Sequence, residues 1–269
     1  MSESEKEPIF FFKGSDPAMI KAIEQAQETF KYFWREISWE SRRIIPGLDF
    51  ACVKVPFSDK PFTDDISDND DVEHMWLNEI DFDGEQVSGV LANEPNWLKS
   101  VSAGDEITVP FHRITDWMYA SRGKVYGGFS VNAMRSGMSY DERDAHDEAW
   151  ELEFCDPDTV RVCYKQLGDE NSQDIDLFYG DLDNAGDHPM SLNMADSLDA
   201  ELNKNKEQFT EYIDHKGFNI LHWSAMAGST NSVKTLLKHG FDPAVKTSNG
   251  KTARDLANLF GWDDVIALL

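Results

Sequence analysis

The sequence predicts an α+β fold, a helix packed on an antiparallel sheet, followed by a short repeated segment. Three observations predict it: helical spacing of apolar residues over 17–40, strand-like runs joined by turn residues between 50 and 135, and self-similarity at a 33-residue period near the end. With 41% hydrophobic and 12% aromatic residues in 269, the chain has enough apolar side chains for a real core, which excludes global disorder.

The first helix is signalled by Asp16-Pro17, an N-cap residue followed by proline at the first turn. Ile20, Ile23, Phe30, Phe33, Trp34 and Ile37 then recur at helical spacing through residue 40. Phe50–Phe57 reads as a strand, and 58–73 reads as a polar, acidic loop. From His74 the pattern is β-rich. HMWLNEIDF, an Asp83-Gly84 turn and QVSGVLAN form a hairpin signal. ITVPFHRITDWMYA follows, and Gly123 separates it from KVYGGFSVNAMR. Beyond, Ser139–Glu153 reads as an acidic helix opened by a Ser-Tyr-Asp-Glu capping box. TVRVCY reads as a strand, the following stretch rich in Asp, Asn and Gly as a loop, and 196–214 as a further helix.

In the tail, Gly217-Phe-Asn-Ile-Leu221-His222-Trp-Ser-Ala225 recurs 33 residues later as Gly250-Lys-Thr-Ala-Arg254-Asp255-Leu-Ala-Asn258. Leu236-Leu237-Lys-His-Gly240-Phe-Asp242-Pro243 lies between them, and Gly228 and Gly261 hold equivalent places. This pattern resembles the ankyrin repeat, which implies a small all-α segment. Two repeats are visible, and about three are needed for an independent solenoid. The exposed face therefore needs a cover, either a degenerate repeat in the helix around 196–214 or the preceding domain. The expected organisation is an α+β domain over 1–150, an acidic connector over 151–198 and ankyrin repeats over 199–269.

Charge is unevenly placed. The net charge is -25, yet residues 199–269 hold 9 acids and 8 bases, while 141–198 holds 17 acids against 3 bases. Such a front repels nucleic acid and phospholipid and attracts basic proteins. No apolar run reaches the roughly 18–20 residues that span a bilayer. The acidic start lacks the basic and long apolar regions of a secretory signal, so a cytoplasmic location is expected. Cys52, Cys155 and Cys163 are widely spaced and read as reduced thiols.

No catalytic set emerges. His112, His146 and His188 are isolated, and His222 sits where an ankyrin histidine bonds backbone loops. Gly127-Gly128-Phe129-Ser130 is not a nucleophile elbow, no phosphate-binding glycine loop is present, and no CxxC pair suggests zinc. No enzyme, cofactor or metal site is expected. The acidic run Asp64, Asp65, Asp70, Asp71 and Glu73 lacks the fixed glycine and terminal glutamate of a calcium loop. It reads as a solvated charge run or as a contact for a basic partner. Asp116-Trp117-Met118-Tyr119 sends Trp117 and Tyr119 to one face of a strand, either into the core or onto a binding surface.

Met75-Trp76, Gly89-Val-Leu-Ala-Asn93-Glu-Pro95, Gly104-Asp105, Ile114-Thr-Asp116-Trp117-Met118-Tyr119 and Gly127-Gly128-Phe129 through Arg135 together resemble the bacterial domain of unknown function 2314 family. The resemblance covers about 16–150. It implies no established activity. Members occur near polymorphic toxin systems, so the resemblance implies an immunity protein that blocks the active site of a basic toxin, a nuclease or nucleotide-acting enzyme. Asp64, Asp65, Asp70, Asp71 and Glu73 are its expected contacts, with Trp117 and Tyr119 as anchors and the acidic 141–187 stretch as a second surface. The alternatives are an ankyrin-based adaptor and an enzyme that reverses a toxin's modification.

Overall fold

The computed structural model describes residues 16–59, 72–165, 174–183 and 185–269. Helix α1 (Pro17–Glu40) begins where the sequence places it: the Asp16 side chain accepts the Ala18 N–H at 2.9 Å, and Pro17 occupies the first turn. Ala22, Ala26, Phe30 and Phe33 form its buried face.

That face lies on a six-stranded sheet of β1 (Phe50–Phe57), β2 (Glu73–Phe82), β3 (Gln86–Leu91), β4 (Glu106–Pro110), β5 (Asp116–Ser121) and β6 (Lys124–Gly127). The order is β4-β3-β2-β1-β5-β6, and every pairing is antiparallel. The chain steps outward by hairpins from β1 to β4, then crosses back to lay β5 on the free side of β1. At the β2–β3 turn the Asp83 carboxylate accepts the N–H groups of Glu85 and Gln86 at 2.8 and 2.7 Å, with Gly84 at φ 89°. A bulge between Asn78 and Asp81 in β2, where Glu79 has φ 53°, bends the strand before this turn.

Alternation sorts the two faces. Val53, Val55, Leu77, Trp117 and Tyr119 lie in the large core with Phe30 and Phe33 of α1. Cys52, Met118 and Val125 belong to a smaller core shared with Val131 of α2 (Phe129–Ser136) and with Phe154. The sequence reading assigns no helix to 129–136; α2 is an addition made by the structure. Helix α3 (Tyr140–Trp150) does follow its Ser139–Glu142 capping box.

The described part of the acidic stretch after α3 packs beside the sheet. Strands β7 (Arg161–Lys165) and β8 (Ile175–Phe178) pair antiparallel beside β6. Arg161 holds the Asp176 carboxylate at 3.0 Å, and the Tyr126 hydroxyl donates to the same carboxylate at 2.8 Å. Val162, Cys163 and Leu177 enter the large core. Farther on, the short helix α4 (Pro189–Asn193) is preceded by Asp187, whose carboxylate accepts from Asn231 of the repeat segment at 3.0 Å.

The tail forms α5 (Ala195–Glu211), α6 (Ile220–Met226), α7 (Thr230–Lys238), α8 (Ala253–Phe260) and α9 (Asp263–Ile266). The 33-residue repeat is visible as chemistry. Asn219 and Thr252 each cap a helix N-terminus, and His222 and Asp255 reach back to the N–H of their own cap residue at 3.1 and 2.8 Å. His222 Nε2 also meets the Val245 carbonyl at 3.0 Å, tying the helix to the loop between repeats. Helix α5 packs on α7 and inserts Leu202 into the repeat core, which covers one end of the stack.

The α+β domain covers the other exposed surface. Phe218, Met226, Leu256 and Phe260 belong to the same continuous core as Phe30 and Phe82. Phe260 lies 6.1 Å from Phe30 and 5.8 Å from Phe82, ring centre to ring centre. Trp262 packs edge-on against Tyr32 at 5.8 Å and donates its indole N–H to the Met226 carbonyl at 3.0 Å. Polar contacts surround this seam: Lys216 with Asp81, and Lys251 with Glu85 at 2.8 Å. Two repeats suffice here because their inner helices, α6 and α8, spend their apolar faces on α1 and the β2–β3 hairpin.

Candidate functional site

The most distinctive motif residues converge at the start of α2. Gly128, its cap residue, is left-handed and has no side chain to offer the helix end. Asp116 of β5 does that instead, accepting the N–H groups of Phe129 and Ser130 at 3.0 and 2.8 Å and the Ser130 hydroxyl at 2.6 Å. A carboxylate at a helix N-terminus is favoured by the dipole and by unsatisfied N–H groups. Lys54 of β1 donates to the Ser130 hydroxyl at 2.9 Å and lies over the Trp76 ring at 4.6 Å. Burial pushes the Asp116 carboxyl up and the Lys54 ammonium down, and each partly restores the other's charge. Gly127 completes the corner. At φ 76°, a Cβ there would lie 2.3 Å from the Trp117 carbonyl oxygen and 2.4 Å from its ring.

A serine beside a lysine is a pairing that nucleophilic catalysts use. Here the Ser130 hydroxyl donates to Asp116, and the residue is only 6% exposed. The arrangement secures a helix end and presents no open nucleophile.

The expected contact residues fall in three places. Asp64, Asp65, Asp70 and Asp71 lie outside the described residues. Glu73 is buried, and its carboxylate accepts the Asn96 N–H at 2.9 Å, fastening the 92–105 loop to β2. Trp117 and Tyr119 share a face, as alternation requires, but it is the face beneath α1, where a docking protein cannot touch them. Both are fully buried; Trp117 Nε1 donates to the Ala26 carbonyl at 2.9 Å, and Tyr119 stacks on Tyr126 at 4.7 Å. The anchor role expected for the two rings is corrected accordingly: the strand that carries them is central, with β1 on one side and β6 on the other. The three cysteines are free. Among the described residues no group of histidine, cysteine and carboxylate side chains is placed to hold a metal ion, and no helix is long and apolar enough to cross a membrane.

Two surface features stand out. The first is α3, none of whose eleven residues is buried. It carries Asp141, Glu142, Asp144, Asp147 and Glu148, with Tyr140 76% exposed at one end and Trp150 37% exposed at the other. Arg135 grips Asp147 through two nitrogens at 2.6 and 3.0 Å, fixing the helix to α2. The capping box and this bidentate pair hold a helix that has no buried stripe.

The second is a groove of about 480 Å³ between the end of α1, β2 and the ankyrin helices. Trp34, Ile37, Ile80, Ile220 and Trp223 make its apolar wall, and Ser38, Ser41, Arg42, Asp81 and Tyr212 line the rest. Nothing in the sequence marks it, because its walls come from three segments far apart in the chain.

The model of a family described as uncharacterized proteins conserved in bacteria, DUF2314, matches residues 16–154. A protein of Neisseria meningitidis serogroup B (strain ATCC BAA-335 / MC58), named "Putative ankyrin repeat protein NMB1133/NMB1171", is 41% identical over 261 residues, covering 97% of this chain and 96% of that one. "Uncharacterized protein YegJ" of Escherichia coli (strain K12) is 30% identical over 79 residues, 29% of this chain and 52% of its own. The first likeness spans both the α+β domain and the repeats. The motif corner at Asp116 and Gly127–Gly128 lies inside the matched region, and the chain belongs to the DUF2314 family of bacterial proteins, joined here to ankyrin repeats.

Proposed function

We propose that this protein works by binding another protein, with the ankyrin segment as part of the scaffold and the acidic face around α3 as the docking surface. The observation that carries this reading is α3 itself. A helix of a folded protein ordinarily buries an apolar stripe; this one buries none and sets four carboxylates besides the Arg135-bound Asp147, against the single arginine Arg143, between two exposed aromatic residues. Tyrosine and tryptophan dominate binding hot spots, and a surface of one charge sign steers an oppositely charged partner. The relative named for its ankyrin repeats supports a binding role. Repeat proteins commonly bind through a concave surface. Here α6 and α8 are turned against α1 and the β2–β3 hairpin, which favours the acidic face as the place where a basic protein docks.

In this reading binding is stoichiometric and performs no chemistry. Neutralising a toxin is the narrower case in which the basic partner is an antibacterial toxin; the relatives' names do not mention that role. The test compares the full chain with an Asp144→Lys/Glu148→Lys variant, both checked for folding by circular dichroism. Each is used to capture a partner at about 50 mM and about 500 mM salt. The expected result is a partner held by the parent at low salt, released at high salt and lost by the variant. Equal capture of the same protein by both chains removes α3 as the docking surface.

A further inference from the structure

The groove at the seam carries a second, separate assignment that does not rest on the acidic face. Its polar groups are unmatched in one direction. The Trp34 indole N–H and the Ser38 hydroxyl, behind its wall, belong to residues only 3% and 7% exposed; among the described residues neither has a hydrogen-bond partner, and both atoms are sealed from the open space of the groove. Buried polar groups without partners are rare in folded proteins. Arg42, on the same side of the groove, lies over the Trp39 ring at 4.6 Å, and among the described residues no carboxylate pairs with its guanidinium. The carboxylate in the lining, Asp81, is matched by Lys216. The charge left unmatched in the groove is therefore the positive charge of Arg42, in a chain whose net charge is -25.

The rest of the lining is apolar and largely aromatic. A volume of about 480 Å³ at the meeting of two structural units, walled by tryptophan and isoleucine with a few polar groups, falls in the range of small-molecule sites. We propose that this groove binds a small aromatic carboxylate. Its flat body lies along Trp34 and Trp223, and its carboxylate meets Arg42. A planar guanidinium suits a carboxylate because it donates through two parallel N–H groups. The net charge of -25 favours cationic ligands at every nonspecific apolar site. A preference for the anion is for that reason diagnostic of Arg42.

The experiment uses the full chain and three probes with the same ring system: 2-naphthoate, 2-naphthalenemethanol and 2-naphthylmethylammonium. Binding is read by tryptophan fluorescence and by methyl shifts of isoleucine-labelled protein. We expect saturable one-site binding of 2-naphthoate, about tenfold or more tighter than the ammonium probe. Shifts should centre on Ile37, Ile80 and Ile220. Arg42→Gln should retain the melting temperature of the parent and lose the anion preference. Absence of saturation, equal or tighter binding of the ammonium probe, undiminished naphthoate binding by Arg42→Gln, or shifts centred elsewhere would each overturn the assignment. A short peptide ending in phenylalanine is the last arm. If it binds about tenfold more tightly than 2-naphthoate, the carboxylate comes from a chain terminus and the small-molecule assignment falls.

Discussion

His188 and Glu36 meet inside the protein, ring Nε2 to carboxylate at 2.9 Å, although 152 positions separate them in the chain. The other ring nitrogen, Nδ1, accepts the Met190 N–H at 3.1 Å. Those two contacts select the neutral imidazole with its proton on Nε2. Burial raises the Glu36 carboxyl, but the His188 hydrogen bond and the charges of Arg43 and Arg35 more than offset this and hold it below its ordinary value. Burial in turn holds His188 below its ordinary value, against the pull of Glu36.

The pH dependence of stability follows from that depressed histidine. Below the ordinary histidine value of 6.5 the unfolded chain takes up a proton that the folded site resists. This stabilisation is present in full above 6.5 and is lost as pH falls from there toward the folded value. His222, also depressed by burial, adds the same sign. We expect the melting temperature to drop between pH 7.5 and 5, and His188→Gln to flatten that slope. A variant with the parent's slope would exclude His188 as its source.

Gly127→Ala should be the most damaging single-methyl change in the motif. The backbone sits at φ 76°, and the new Cβ would meet the Trp117 carbonyl and ring in a sealed corner. Strain and overpacking together suggest a loss of about 2–4 kcal/mol. Urea unfolding measures it; a change below about 0.5 kcal/mol would mean that the corner yields.

Asp116→Ala removes the acceptor of three backbone N–H groups, those of Trp117, Phe129 and Ser130, and of the Ser130 hydroxyl, and takes from Lys54 the carboxylate that favours its charged form. Unpaired buried charge and orphaned donors put the cost at about 3–5 kcal/mol. Ser130→Ala should cost less, about 1–2 kcal/mol, because the carboxylate keeps its backbone donors. The reverse ranking in denaturant titrations would place the weight on the hydroxyl.

Loss of the repeats should unfold the remainder. Removing 199–269 strips Phe260, Leu256 and Trp262 from Phe30, Phe82 and Tyr32, and uncovers a core face that nothing else among the described residues covers. The full chain should melt in one transition, and Trp262→Ala should lower its stability by about 2–4 kcal/mol. A soluble 1–198 fragment with native circular dichroism would show that the α+β domain closes its core alone.

Much of the architecture was legible because its signals are local. Asp16-Pro17 marks the start of α1, Asp83-Gly84 marks the β2–β3 turn, and the 33-residue offset locates two capping boxes. Helix α2 was not legible. Its cap comes from Asp116, thirteen residues back on a strand, and the residue at the cap position itself is glycine. Glu73 belonged to a run of carboxylates in the sequence; as the first residue of β2 it alternates inward with Met75 and Leu77, and the loop that returns Asn96 supplies the donor for its carboxylate.

By itself the sequence determined the elements, the repeat and the uneven charge, since caps, periods and composition depend on residues a few positions apart. Tertiary packing decided what each face meets. Alternation put Trp117 and Tyr119 on one side of β5, and the position of α1 made that side the interior. The 33-residue pattern supplied two repeats with an apolar inner face, and the fit of Phe260 and Trp262 against α1 turned that face inward. Burying an apolar face lowers the free energy wherever a complementary surface lies, however distant in the chain. That is why α3 is left exposed and why the seam holds a groove that no stretch of sequence shows.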